Sequence, residues 1–232
     1  RDNLPDNGGI ASDEGGGNAV SKQTKTPRPS KESLVPDDFQ RIVTAREELT
    51  HPVDEGNVPD DLKKGMYSHQ IQGVAKMLAS MEKGGGILAD GTGVGKTTEI
   101  LAIAETHRRQ GKTVLIVAPA KALGPDWKNM EFHGSAYVDD ATRLGVEATL
   151  YKDGELNEGI NVTTYKRFSN AAGEIGSDVT LIFDEAHYLK NPGAARADRG
   201  MAMAAEAGAV LFVTATPADK TEHLVYMQRA GI

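Results

Sequence analysis

From residue 68 onward the chain alternates between two hydrophobic rhythms. In SHQIQGVAKMLASME (68–82) the apolar residues Ile71, Val74, Met77, Leu78 and Met81 fall at helical spacing, which predicts an amphipathic helix. GGILAD follows as a short apolar run, and GKTTEILAIAETHRR turns helical again. KTVLIVAP (112–119), VTLIFDEAH (179–187) and AVLFVTATP (209–217) are continuous apolar stretches, with VEATLY (146–151) and INVTTY (160–165) as weaker strand candidates. A helical segment fits 195–207. Continuous Val/Ile/Leu strands separated by helices predict an α/β fold: a mostly parallel sheet covered by helices on both faces. No internal repeat is present.

The first 60 residues lack this rhythm. Residues 1–35 are rich in Gly, Ser, Asn, Asp and Pro. Such a stretch buries too little apolar surface to offset its ordering entropy, so it reads as a disordered or linker segment. DDFQRIVTAREEL (37–49) is a possible short helix, ended by HPVDEGNVPDD. The expected boundaries are therefore a linker over 1–60 and a folded lobe over 61–232, beginning near Leu62. The missing initiator Met reads as a fragment or processed chain.

Composition narrows the classes. Of 232 residues 39% are hydrophobic, enough for one sizeable core. No apolar run approaches the roughly 20 residues that span a bilayer, and no signal-peptide pattern opens the chain. The absence of cysteine excludes disulfides and thiolate metal sites and fits an intracellular setting. The net charge is −7, from 26 basic and 33 acidic residues. Residues 1–60 hold 7 and 12 of these, a net of −5, which leaves 19 and 21, a net of −2, for 61–232. A nearly neutral lobe lacks the basic stripe of a non-specific nucleic-acid binder.

Two segments carry chemistry. GILADGTGVGKTTEIL (86–101) places three glycines between a buried strand and a helix, then Lys96, Thr97 and Thr98. Successive backbone N–H groups at such a helix start cradle phosphates, and the helix dipole favours their charge. Glycines permit the close approach and positive φ. This predicts a P-loop in which Gly91, Thr92, Gly93, Val94, Gly95, Lys96, Thr97 and Thr98 bind nucleotide. Lys96 would reach the β- and γ-phosphates, and Thr97 would offer a hydroxyl to Mg²⁺. The strict pattern has glycine where Asp90 stands. LIFDEAH puts Asp184 and Glu185 at the carboxyl end of an apolar strand, where one acid can hold Mg²⁺ and the other can orient or activate water.

In order along the chain, these segments resemble the first RecA-like lobe of a superfamily-two helicase or translocase, most similar to Swi/Snf-type and strawberry-notch-type proteins. The resemblance runs from about residue 66 to the C-terminus. SHQIQGVAKML resembles the family's Tyr-Gln-x-x-Gly-Val segment, which makes Gln70 the expected reader of the adenine edge. ILADGTGVGKT resembles the Swi/Snf loop, which also carries Ala-Asp, and its wording is closer to strawberry-notch proteins. VLIVAPAKALGPDWKNMEF, INVTTYKRF and LIFDEAHYLKNP resemble the family's next strand-end motif, the one after it and the DEAH box. LFVTATPADKTEHLVYMQRAGI resembles the coupling motif, with Thr214, Ala215, Thr216 and Pro217 standing for Thr-Gly-Thr-Pro.

The resemblance implies ATP and Mg²⁺ as cofactors and hydrolysis coupled to movement on nucleic acid, usually duplex DNA. Lys96, Asp184 and Glu185 would be catalytic, with Thr97 and Asp184 on the metal. His187, Thr214 and Thr216 would couple the nucleotide site to the nucleic-acid face. Pro119, Ala120, Lys121, Thr163 and Thr164 would contact the phosphate backbone, which positions without reading sequence. Trp127 reads as a buried packing residue. The family's arginine fingers come from a second RecA-like lobe, which these residues do not contain, so slow turnover is expected. A restriction- or remodelling-type motor of the same superfamily and a nucleotide-gated interaction module stay open as alternatives.

Overall fold

The computed structural model describes residues 53–91, 93–124, 135–151, 156–170, 175–191, 193–216 and 221–230. The expected helix over 37–49, Thr92, Trp127 and Pro217 lie outside them. A six-stranded sheet organises the described residues: β1 (Gly85–Leu88), β2 (Thr113–Ala118), β3 (Ala148–Leu150), β4 (Ile160–Thr164), β5 (Val179–Asp184) and β6 (Ala209–Val213). Their order is β1-β6-β5-β2-β4-β3, and every pairing is parallel. All six strands therefore present their carboxyl ends along one edge, where α/β folds place ligands.

The helices are α1 (Asp60–Lys63), α2 (Ser68–Met81), α3 (Lys96–Arg109), α4 (Ala136–Leu144), α5 (Tyr165–Asn170) and α6 (Ala195–Glu206). Side chains alternate across each strand, and two apolar clusters form. On one face Val114, Ile116, Ile182, Leu211 and Val213 pack with Val74 and Leu78 of α2, Ile100 and Ile103 of α3, and Tyr137 and Leu144 of α4. On the other, Leu115, Val117, Leu181, Phe183 and Phe212 pack with Phe168 of α5, Met203 of α6, and Tyr226 and Met227 of the C-terminal 3₁₀ segment Thr221–Ala230. Helix α3 is enclosed over its middle, with Ile100 to His107 all buried.

The folded body starts earlier than the boundary expected near Leu62. Val58 is buried in the first cluster and Val53 packs against it. Asp54 caps the turn at Glu55–Asn57 by accepting from the Gly56 N–H at 2.8 Å. An apolar valine on each side of a capped turn anchors this stretch, which its polar composition disguised.

Helix α4 has clear local limits. The Ser135 hydroxyl accepts from the Val138 N–H at 3.3 Å, and Gly145 ends the helix in the left-handed conformation, φ 65°. Both are standard helix-terminating devices.

Candidate functional site

The glycine-rich segment expected to form a P-loop joins the tip of β1 to α3. Gly93 and Gly95 both have positive φ, 84° and 90°. A Cβ on Gly93 would meet nothing within 4 Å, whereas one on Gly95 would stand 2.3 Å from Gln70 Nε2. Gly93 thus faces open space suited to a close-lying phosphate, and Gly95 is required by both conformation and contact. No side chain caps the amides that open α3. Lys96 Nζ donates to the carbonyls of Asp90 at 3.2 Å and Gly91 at 2.8 Å. A phosphate would take over a lysine held only by loop carbonyls, since no carboxylate competes in those bonds. Asp90 supplies its carbonyl to this arrangement, a backbone role that does not require glycine.

Gln70 is buried on the first turn of α2. Its Oε1 accepts from the Tyr67 N–H at 2.9 Å, and its Nε2 donates toward the carbonyls of Val94 at 3.2 Å and Gly95 at 3.3 Å. The amide ties α2 to the P-loop. An open cavity of about 360 Å³ lies alongside, lined by Asp61, Lys64, Met66, Tyr67 and Arg143. A wider cavity of about 700 Å³, lined by Arg108, Lys112, Glu147 and Asp178 among others, opens at the amino ends of the strands, away from these groups.

The acids stand at the tip of β5. Asp184 is 7% exposed. Burial, with the neighbouring Glu185 charge, pushes its carboxyl up to about 6, against the opposing Tyr137 hydrogen bond and the Lys96 charge. The two strand tips are not adjacent: β6 lies between β1 and β5, and the parallel order still brings both to one edge.

Asp184 is gripped twice. Tyr137 Oη donates to its Oδ2 at 3.0 Å, and Tyr165 Oη donates to its backbone oxygen at 2.9 Å. Burial and the Asp184 charge hold the Tyr137 phenol well above its ordinary pKa, so it stays a donor.

Glu185 is half-buried and sits at φ 53°, ψ 51°. It is the one non-glycine residue with positive φ among the described residues. Such a conformation costs on the order of 1–3 kcal/mol and persists where surroundings impose it. Beyond it, His187 Nδ1 lies 3.1 Å from Glu185 Oε2 and 3.3 Å from Thr214 Oγ1. The Thr214 hydroxyl in turn accepts from the Thr216 N–H at 3.2 Å. The expected coupling residues therefore form one contact chain from the acid to the tip of β6.

The sites expected on nucleic acid divide. Pro119, Ala120 and Lys121 follow the tip of β2, with Pro119 buried and Lys121 exposed. Thr163 and Thr164 end β4, the strand paired with β2, but each is only 2% exposed. The Thr164 hydroxyl is directed inward, accepting from the Arg167 N–H at 3.3 Å. Among these five, Lys121 offers an open charge.

Two site residues went unread in the sequence. Tyr137 lies in a segment with no motif, and its bond to Asp184 spans 47 positions. Glu99, one turn into α3, is fully buried, with neither carboxylate oxygen hydrogen-bonded. Burial first, then Asp90, push its carboxyl up to about 8 against the pull of Lys96. A glutamate directly after Lys-Thr-Thr, on a helix whose neighbours are Ile and Leu, was the available signal.

Comparison with known proteins decides the family. The model of the SNF2-related domain matches residues 69–227. The chain belongs to the SNF2-related domain family. It is 26% identical over 207 residues to a Xenopus tropicalis SWI/SNF-related matrix-associated actin-dependent regulator of chromatin subfamily A-like protein 1, covering 89% of this chain and 21% of that protein. It is 26% identical over 203 residues to mouse Protein strawberry notch homolog 2, covering 79% of this chain and 15% of that one. The chain thus spans about a fifth or less of these relatives. The Sulfolobus solfataricus SWI2/SNF2 ATPase core, solved in complex with dsDNA, matches with a TM-score of 0.57 at 20% identity, over 70% of this chain and 35% of that one. The fold is the RecA-like first lobe of an SNF2-type ATPase.

Proposed function

We propose that this SNF2-related lobe binds ATP with Mg²⁺ and forms half of a nucleic-acid-dependent ATPase that moves on duplex DNA. The observation that carries this reading is the convergence at one sheet edge: Lys96 at the start of α3, bonded to the Asp90 and Gly91 carbonyls that follow β1, and Asp184 at the carboxyl end of β5, in a sheet whose strands are all parallel. Among the described residues no group of three or more His, Asp or Glu gathers to hold a metal. Mg²⁺ in a site of this kind would be held by one or two protein oxygens and by phosphate, here the Thr97 hydroxyl at the start of α3 and the buried Asp184 carboxylate. Magnesium bound there would neutralise charge developing on the phosphates.

The chain's own residues divide the remaining work. The P-loop amides and Lys96 hold the triphosphate. Glu185 orients the attacking water and takes its proton, a role worth roughly 10²–10⁴ in rate. Gln70 keeps α2 on the P-loop, which places the cavity beside Tyr67 within reach of a base. His187, Thr214 and Thr216 relay the state of the acid to the tip of β6. Lys121, with backbone amides after β2 and β4, meets the DNA phosphates. Phosphoryl transfer gains from a second cation, expected from a partner lobe, so these 232 residues by themselves turn over slowly. The setting is intracellular.

The test compares Lys96→Ala and Glu185→Gln, in the full-length protein that carries this lobe with a partner RecA-like lobe, for ATP binding, hydrolysis and movement on duplex DNA. A motor loses movement with both. Retained function in Glu185→Gln, together with ATP binding, would instead indicate a nucleotide-gated binding module.

A further inference from the structure

Helix α4 presents residues 137, 140 and 143 at intervals of three, along one side of the helix. Each makes a polar contact with a neighbouring element. Tyr137, fully buried, donates to Asp184 Oδ2 at 3.0 Å. Asp140 Oδ2 accepts from the Thr98 hydroxyl at 3.0 Å. Arg143 Nη2 donates to that hydroxyl and to Asp140 Oδ1, both at 2.7 Å, and its Nη1 donates to the Gly65 carbonyl. One helix therefore touches the tip of β5, the first turn of α3 and the segment leading into α2.

From this we infer that Tyr137 is a positioning residue for the metal-holding carboxylate, with α4 as the rigid mount that sets its distance. The inference rests on the reading of Asp184 as a metal-holding acid. A carboxylate at a strand tip can rotate about its Cβ–Cγ bond. A hydroxyl fixed on Oδ2 holds one oxygen, and Tyr165 on the backbone carbonyl fixes the tip beneath it. The other oxygen, Oδ1, then keeps one direction. The Asp140–Thr98–Arg143 contacts anchor α4 to the helix that begins with Lys96 and Thr97. The acid and the hydroxyl proposed to share the metal are thereby held in register through a single helix. Orientation of this kind acts on metal affinity more than on nucleotide contacts away from the metal.

The experiment measures binding of a fluorescent ATP analogue in EDTA and across a Mg²⁺ titration, for the unmodified chain, Tyr137→Phe, Asp184→Asn and the double variant. Phenylalanine keeps the buried ring and removes the hydroxyl alone. Affinity in EDTA should stay within about twofold, while the Mg²⁺ concentration for half-maximal tightening should rise about 10-fold, the scale of such outer contacts. In Asp184→Asn the added Tyr137→Phe change should have no further effect. Two outcomes overturn the inference alone: an unchanged magnesium midpoint in Tyr137→Phe, or an equal effect of that substitution with Asp184 already altered. Equal loss of affinity in EDTA and in Mg²⁺ would mark Tyr137 as a packing residue and overturn it too. If the unmodified chain binds the analogue without any dependence on magnesium, the reading of Asp184 fails and the inference with it. Melting curves on all four proteins separate loss of fold from loss of binding, and a Tyr137→Phe protein that does not fold leaves the comparison to Asp140→Asn. Loosening the mount should shift the magnesium midpoint in the same direction, and an unchanged midpoint there overturns the inference.

Discussion

At the scale of single residues, the proposed chemistry depends on where a few charges and hydroxyls stand. Glu185→Gln should retain ATP binding and lose hydrolysis by about 10²–10⁴-fold, read as turnover under saturating nucleotide. Gly95→Ala should destabilise by about 1–3 kcal/mol, seen as a lowered denaturant midpoint. Its Cβ would strike the Gln70 amide and its φ of 90° suits only glycine. The expected motif residues could be named from sequence because the chemistry proposed for them is local: the glycine-rich loop is a contiguous segment and the two acids are neighbours. Tyr137 was not legible, because its partner lies across the sheet. Nor was the burial of Thr163 and Thr164, each 2% exposed at the end of β4 where α5 begins.

At the scale of elements, strands were legible and short helices were not. Runs such as VLIVA and VTLIF are apolar without alternation because both of their faces are covered, and the structure gives them as β2 and β5. Helix α4 offers only Tyr137, Ala141 and Leu144 as buried residues amid two aspartates and an arginine. Its apolar stripe is too thin to announce itself. On the opposite face, Phe183 stacks on Phe212 at 5.6 Å and meets the edge of Phe168 at 5.5 Å. Phe183→Ala should cost about 3–5 kcal/mol, measured by chemical denaturation, because it removes the ring that joins α5 to β6.

Two buried groups of α3 give a pH signature. Glu99 titrates near 4.5 when unfolded and is pushed up to about 8 when folded. The folded chain binds the extra proton, so stability falls as pH rises from about 4.5 to 8. His107 moves the other way, from 6.5 down to about 4, because burial disfavours its charge. Its contribution is lost as pH falls through that range. The two oppose each other between 4.5 and 6.5, and Glu99 alone remains from 6.5 to 8. The melting temperature should therefore decline over pH 6.5–8, and Glu99→Gln should flatten that decline. An equal decline in the variant would show that the carboxyl is not the source.

At the scale of the whole molecule, one parallel sheet edge gathers the residues that the proposed chemistry draws from this lobe. Its strand order could not be read from sequence, since any permutation of parallel strands gives the same hydrophobic rhythm. That is why β6 stands unforeseen between the P-loop strand and the acid strand. Its tip carries Thr214, so the intervening strand contributes the contact with His187. The lobe's near-neutral charge predicts weak DNA binding by these 232 residues. Duplex DNA should raise their ATP hydrolysis little, and a partner RecA-like lobe added in trans or in cis should raise it strongly. Brisk DNA-stimulated turnover by the 232 residues alone would contradict the need for a second cation.

The most direct measurement is a crystal structure of Glu185→Gln with ATP and Mg²⁺. The account predicts the triphosphate along Gly93 to Thr97, Lys96 moved from the Asp90 and Gly91 carbonyls onto phosphate oxygens, and the ion between Thr97 and Asp184. A nucleotide bound elsewhere, with Lys96 still on the loop carbonyls and no ion beside Asp184, would contradict it.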